Sequence, residues 1–111
     1  MVAWHNKNKE KRLFELLEKD IEEYWCKRVK ELGGLPFKFT SPQRRSVPDR
    51  LNVFPWGQIV FVELKRPGET STTGQVREQN RLRAMGQWVE EVDTYEKCDI
   101  LIAEILMRRD L

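Results

Sequence analysis

The stretch Val47-Pro48-Asp49-Arg50-Leu51-Asn52-Val53-Phe54 followed by Pro55-Trp56-Gly57 and Gln58-Ile59-Val60-Phe61-Val62-Glu63-Leu64-Lys65 decides the fold. It reads as two strands joined by a tight turn. Pro55-Trp56-Gly57 fits a three-residue hairpin loop with glycine in the left-handed position. That turn pairs Phe54 with Gln58, Val53 with Ile59, Leu51 with Phe61 and Asp49 with Glu63. Strand alternation then puts Phe61, Glu63 and Lys65 on one face and Val60, Val62 and Leu64 on the other. Opposed residues on one sheet face have Cβ atoms roughly 5 Å apart, and like charges there repel. Two facing carboxylates beside a lysine therefore suit a divalent cation, because a hard cation takes carboxylate oxygens. The plainer alternative makes Asp49 a turn residue, and Glu63 and Lys65 the polar face of an edge strand. Against it, Ile59-Val60-Phe61-Val62 is apolar on both faces, which suits a central strand.

The chain has 111 residues, enough for one domain with one core. The net charge of +2 hides an uneven distribution: Lys27 to Arg50 carries seven Lys/Arg against two acids. A basic stretch within a modest overall balance suits contact with a polyanion on one side. No apolar run is long enough to span a membrane, and the N-terminus lacks a signal-like apolar region. Cys26 and Cys98 stand 72 residues apart, which is neither a zinc pattern nor a disulfide framework and points to a reducing cytoplasm. His5 is the single histidine, in a polar segment read as a flexible tail over residues 1–9. Catalysis or metal binding resting on core histidines is thereby excluded.

Outward from the hairpin, residues Glu10 to Leu32 show helical periodicity, with Phe14, Leu17, Ile21, Trp25, Val29 and Leu32 in one stripe. Gly33-Gly34 ends that helix. Glu18 and Glu22 flank the stripe one turn apart; either is an ordinary solvent-facing glutamate unless it reaches inward. Leu35 to Phe39 is a short strand, with Pro36 marking its start or an edge. Thr40 to Val47 is a polar loop that delivers Arg44 and Arg45 just before Asp49. After Lys65 a Pro/Gly/Thr-rich loop leads to a helix from about Thr73 to Met85. Thr72 and Gln75 have capping-box spacing there. Gln75 is either that cap alone or a side chain pointing toward Lys65. Arg77, Arg81 and Arg83 make this helix basic. Gln87 to Val92 reads as a fourth strand, and Asp93 or Thr94 caps a last helix. The order is αβββαβα, an α/β fold with a mixed sheet flanked by helices in a single domain over residues 10–111.

Four motifs in this order resemble the VRR-NUC domain, a branch of the PD-(D/E)XK superfamily with a restriction-endonuclease-like core, in its small stand-alone phage and bacterial form. They are Glu18-Lys19-Asp20-Ile21-Glu22 with Gly33-Gly34, Val47-Pro48-Asp49, Val62-Glu63-Leu64-Lys65-Arg66-Pro67-Gly68, and Gln75 followed by Leu82 and Gly86. The resemblance runs from about Glu18 to Leu101. It implies a metal-dependent nuclease in which Asp49, Glu63 and the backbone carbonyl of Leu64 bind Mg²⁺ or Mn²⁺. It further implies that Lys65 orients or helps deprotonate the attacking water, or steadies the transition state, and that Gln75 belongs to the catalytic set. A glutamate of the first helix completes it, Glu22 being preferred and Glu18 the other candidate.

The chemistry agrees with the residue types. A phosphodiester is anionic, and a carboxylate-held cation neutralises charge, polarises the phosphoryl oxygen and acidifies water. The implied partner is branched DNA, with a four-way junction as the expected substrate. No recognition helix for base edges can be identified. Arg44, Arg45, Arg50, Arg66, Arg77 and Arg81 are the candidate phosphate contacts. Two symmetric cuts imply a homodimer, to which Trp4, Trp56 and Trp88 are candidate contributors, packing being their alternative role. A flap or 5′-end nuclease, or a binding module that does not cut, is the competing expectation. The site of action is the cytoplasm of a bacterial host cell if the chain is phage-encoded.

Overall fold

The computed structural model describes residue 12 and residues 15–111. Helix α1 covers Glu18–Glu31, followed by strands β1 (Leu35–Lys38), β2 (Arg50–Val53) and β3 (Ile59–Leu64). Helix α2 (Thr73–Ala84), strand β4 (Trp88–Val92) and helix α3 (Tyr95–Arg109) complete the chain. The observed order is the expected αβββαβα. The expected N-terminal tail, His5, Trp4 and Phe14 lie outside the described residues.

The hairpin reading predicts the observed register. Val53 pairs with Ile59 and Leu51 with Phe61, the Phe54 N–H donates to the Gln58 carbonyl at 2.9 Å, and Gly57 takes φ +87°. That left-handed turn is open to glycine at little cost. The sheet runs β1-β2-β3-β4, antiparallel through the first three strands and parallel between β3 and β4. A parallel pair needs a crossover, and α2 supplies it. β3 is central, as its two-sided apolar pattern requires: Val60 to Lys65 are all buried.

Val60, Val62 and Leu64 face the main core with Ile21, Tyr24, Trp25 and Val29 of α1 and Leu101, Ile102 and Ile105 of α3. Inside this core lies a polar chain. The Trp25 Nε1–H donates to Asn52 Oδ1 at 2.9 Å, and Asn52 Nδ2 donates to the Val60 carbonyl at 2.9 Å. A fully buried indole N–H needs such a partner, and Asn52 supplies it while tying α1 to the hairpin. Tyr24 and Arg28 of α1 both donate to Asp99 Oδ1 of α3, which fastens the two helices.

The expected start of the first helix is corrected. The helix begins at Glu18, and Leu17 is its N-cap, 48% exposed. Asp20 Oδ2 accepts from the Leu17 N–H at 2.9 Å, satisfying a donor that has no partner within the helix. Leu16 is buried where the periodicity placed Leu17. Strand β2 starts at Arg50, so Asp49 precedes the ladder; its carbonyl accepts from the Phe39 N–H at 2.8 Å. Trp56 and Trp88 pack against the core, Trp56 stacking on Phe54 at 5.1 Å and Trp88 lying under the Arg108 guanidinium at 3.8 Å. Cys26 and Cys98 are free thiols. No helix among the described residues is long and apolar enough to cross a membrane.

Candidate active site

The carboxyl end of β3 carries Glu63 and Lys65 inward, toward the start of β2 on one side and the start of α2 on the other. Glu63 is 2% exposed and Lys65 is 6% exposed. Charged groups buried this deeply need partners. Lys65 Nζ donates to Gln75 Oε1 at 2.6 Å and stands 3.8 Å from Glu63 Oε2. Gln75 Nε2 donates to Glu63 Oε2 at 3.2 Å. Asp49 Oδ2 accepts from the Leu64 N–H at 2.8 Å, which aims its carboxylate at the end of β3.

Gln75 fills both roles left open by its position. Its backbone N–H donates to Thr72 Oγ1 at 3.1 Å, and its Oε1 accepts from the Thr72 N–H at 2.9 Å. The capping box thus fixes the first turn of α2, and the same amide bridges Lys65 and Glu63.

Glu63 remains short of partners. No donor among the described residues reaches its buried Oε1. Burial first, and then the adjacent Asp49 carboxyl, push its pKa up to about 8, while Lys65 pulls the other way. Glu18 is raised as well, by burial and then by Asp49, Glu69 and Glu22, with Lys65 opposing. An unpartnered buried carboxylate oxygen crowded by further acids fits a divalent cation. Among the described residues no three His, Cys, Asp or Glu side chains are grouped so that they could hold a metal ion by themselves. Mg²⁺ keeps several of its waters and needs few carboxylates, so an open donor set suits it.

The two helix acids differ. Both line a cleft of about 320 Å³ with Lys38, Phe39 and Asp49. Glu22 Oε2 accepts from Arg50 Nε at 3.0 Å, and Arg50 also donates to the Pro36 carbonyl at 2.8 Å. Glu22 and Arg50 therefore form a partly buried pair beside the site. Glu18 has no such cation on it among the described residues, and it lies within the field of Asp49 and Lys65.

The arginines also divide. Arg44 meets Glu78 of α2 in a two-bond fork, Nε to Oε2 at 2.7 Å and Nη2 to Oε1 at 2.9 Å. Arg45, Arg77 and Arg81 are exposed around a neighbouring cleft of about 300 Å³. Arg66 is exposed just past Lys65. Ser46 sits at φ +64°, a left-handed conformation that costs a non-glycine residue about 1–3 kcal/mol unless its surroundings hold it.

Several residues that shape the site were not among the sequence candidates. Glu78 is an acid on a helix read only as basic. Glu69 contributes to the field on Glu18. Ser46 lies against Gly74, where a Cβ would stand 3.0 Å from its hydroxyl oxygen. Of these, only the glycine at the second position of a helix was a readable signal, since it weakens a helix unless close packing requires it.

No family model matches the chain. A protein of Acyrthosiphon pisum secondary endosymbiont phage 1, named "Putative nuclease p44", is 46% identical over 86 residues, covering 78% of this chain and 92% of that protein. A solved structure described as a VRR_NUC domain superposes with a TM-score of 0.74 at 34% identity, covering 78% of this chain and 94% of the other. With nearly the whole of both relatives spanned, and with the mixed sheet and its carboxylate-bearing strand end in place, this chain belongs to the VRR-NUC domain nucleases.

Proposed function

We propose that this nuclease is a divalent-metal-dependent endonuclease that hydrolyses phosphodiester bonds in branched DNA, with a four-way junction as substrate. The observation that carries the metal dependence is Glu63: buried, crowded by Asp49, and with Oε1 lacking any donor among the described residues. Asp49, Glu63 and the Leu64 carbonyl would hold Mg²⁺ or Mn²⁺. Glu18 is now preferred to Glu22 as the helix acid, because the Arg50 ion pair already engages Glu22. When bound, the cation supplies charge neutralisation at the phosphoryl oxygen and an acidified water.

The chain's own residues do the rest. The Leu64 N–H fixes the rotamer of Asp49. Gln75 bridges Lys65 and Glu63 through the two ends of its amide. Lys65 places a cationic donor where the attacking water and the developing phosphorane charge would lie, a role worth about a hundredfold in rate. Arg45, Arg66, Arg77 and Arg81 present exposed cations to the backbone on either side. One such site among the described residues of each chain would make paired cuts the work of a two-fold dimer. The free thiols suit a reducing compartment such as the cytoplasm of a bacterial host.

The test is cleavage of matched substrates: a four-way junction, a flap, a linear duplex and a single strand. Each is assayed with Mg²⁺, with Mn²⁺ and with chelator, beside Glu63→Ala. Metal-dependent paired nicks confined to the junction and lost in the variant are expected. Cutting of flaps or ends keeps the site and changes the substrate. Cutting in chelator removes the metal assignment. Binding without cutting favours a binding module.

A further inference from the structure

The loop that leads from β1 to Asp49 touches α2 at two points. One is the fork between Arg44 and Glu78, with bonds of 2.7 and 2.9 Å. The other is the approach of Ser46 to Gly74, where a Cβ would come within 3.0 Å of the Ser46 hydroxyl oxygen. Between these contacts opens the cleft of about 300 Å³, lined by Gln43, Arg45, Ser46, Gly74, Arg77 and Arg81 beside the fork itself. It abuts the site: Gly74 directly precedes Gln75, and Ser46 stands three positions before Asp49.

The cations around this cleft are not equivalent. Arg44 gives one edge of its guanidinium, Nε and Nη2, to Glu78. Arg45 and Arg77 are exposed, and neither enters an ion pair among the described residues. A short exposed loop held only by its ends would leave Arg45 at no defined place, and ordering it on binding would weaken affinity.

We propose that Glu78 is a positioning residue: through Arg44 it pins the loop onto α2, so that Arg45 and Arg77 form a standing cleft for a backbone phosphate next to the one that is cut. Arg44 then serves as the strut, through the edge that it gives to Glu78. This inference rests on the DNA-cutting reading above and adds a sign that plain electrostatics does not give. An acid beside a polyanion weakens binding, so removing it should tighten binding. Removing a tether should loosen it.

The experiment measures the affinity of the full chain for a four-way DNA junction in chelator, across a series of salt concentrations, and kcat and KM in Mg²⁺. Glu78→Gln is expected to weaken binding about tenfold and to flatten the log–log salt slope by about one. KM should rise by a similar factor while kcat stays within about twofold. Arg44→Lys should lose affinity in the same way, because an ammonium cannot reproduce the planar fork; a phosphate contact would survive that change. Gly74→Val alters no charge and, with a side chain too large for the Ser46 hydroxyl to yield to, should reproduce the loss by pushing the loop away; it carries the test if Glu78→Gln does not fold. Reversing the pair, Arg44→Glu with Glu78→Arg, should recover affinity lost in either single variant. Equal or tighter binding by Glu78→Gln with an unchanged slope overturns the inference while leaving the nuclease reading intact. Absence of junction binding by the unaltered protein overturns both.

Discussion

Two buried glutamates, Glu63 at the end of β3 and Glu78 on α2, meet opposite fates. Glu78 is 8% exposed and answered within the chain: the Arg44 fork holds its carboxyl below the usual range. Glu63 is 2% exposed and answered only in part: Lys65 stands 3.8 Å from Oε2, yet burial and Asp49 drive its pKa up to about 8, and Oε1 has no donor among the described residues. A buried acid with its cation supplied by the fold is part of the scaffold. A buried acid whose cation does not offset its burial destabilises the chain that carries it, and such strain concentrates at functional sites. The contrast separates the residues that build the site from those that await what it binds.

Removing the half-answered acid should produce the largest effect. Glu63→Ala is expected to lower the cleavage rate by roughly three orders of magnitude while junction binding in chelator holds or tightens, since a negative charge beside phosphate is lost. Retained cleavage would put the metal elsewhere. Next comes the lysine that only partly offsets Glu63. Lys65→Met keeps the aliphatic stem and should cost about a hundredfold in kcat with little change in KM; a change confined to KM would make Lys65 a substrate tether. Gln75→Ala should cost about tenfold in kcat. It removes the amide from Lys65 and Glu63 and also half of the capping box. Gln75→Glu separates the two duties, since it can still cap but sets a third acid against Glu63; if the cap alone matters, Gln75→Glu keeps full activity.

The hairpin, the strand order and the end of β3 were legible in the sequence because they rest on local rules. Pro55-Trp56-Gly57 fixes a turn, the turn fixes the register, and the register brings Asp49 near Glu63. The capping box of α2 was legible for the same reason. What local pattern does not carry is which distant side chains meet. Asn52 reads as one polar residue in a strand, and only the fold reveals that Trp25, 27 positions away, needs its oxygen. Glu22 is the helix acid that the resemblance prefers, yet Arg50 reaches it from β2, a contact between residues 28 positions apart. Glu78 and Arg44 are separated by 34 residues, so a basic helix and a basic loop conceal the acid that joins them. The early start expected for α1 fails for a related reason. Periodicity continues through Leu17, but Asp20 caps the backbone there and ends the pattern's claim on structure.

The smallest expected effect is also the one that sets the two glutamates directly against each other. In the metal-free protein their contributions to stability should slope in opposite directions with pH. The ordinary carboxyl value is 4.5 for both, and in the folded chain Glu63 rises to about 8 while Glu78 falls below it. Between 4.5 and about 8 the folded state therefore holds a proton at Glu63 that the unfolded chain has lost. Stability from this group declines as pH rises through that window. For Glu78 the folded state binds fewer protons, so the Arg44 pair contributes fully above the unfolded value and is lost as pH falls through the lowered one. Thermal melts in chelator should consequently show Glu63→Gln more stable than the unaltered protein at pH 8 and nearly equal to it near pH 4, where both carry a neutral group. Glu78→Gln should be the less stable protein at pH 8, with the deficit closing only in acid. Mg²⁺ or Mn²⁺ should raise the melting temperature of the unaltered protein at pH 8 and leave Glu63→Gln nearly unmoved, because binding to the folded state alone is what stabilises it. A Glu63→Gln protein that melts earlier at pH 8 would mean that the fold already compensates this carboxylate, and the difference between the two glutamates would be one of place only.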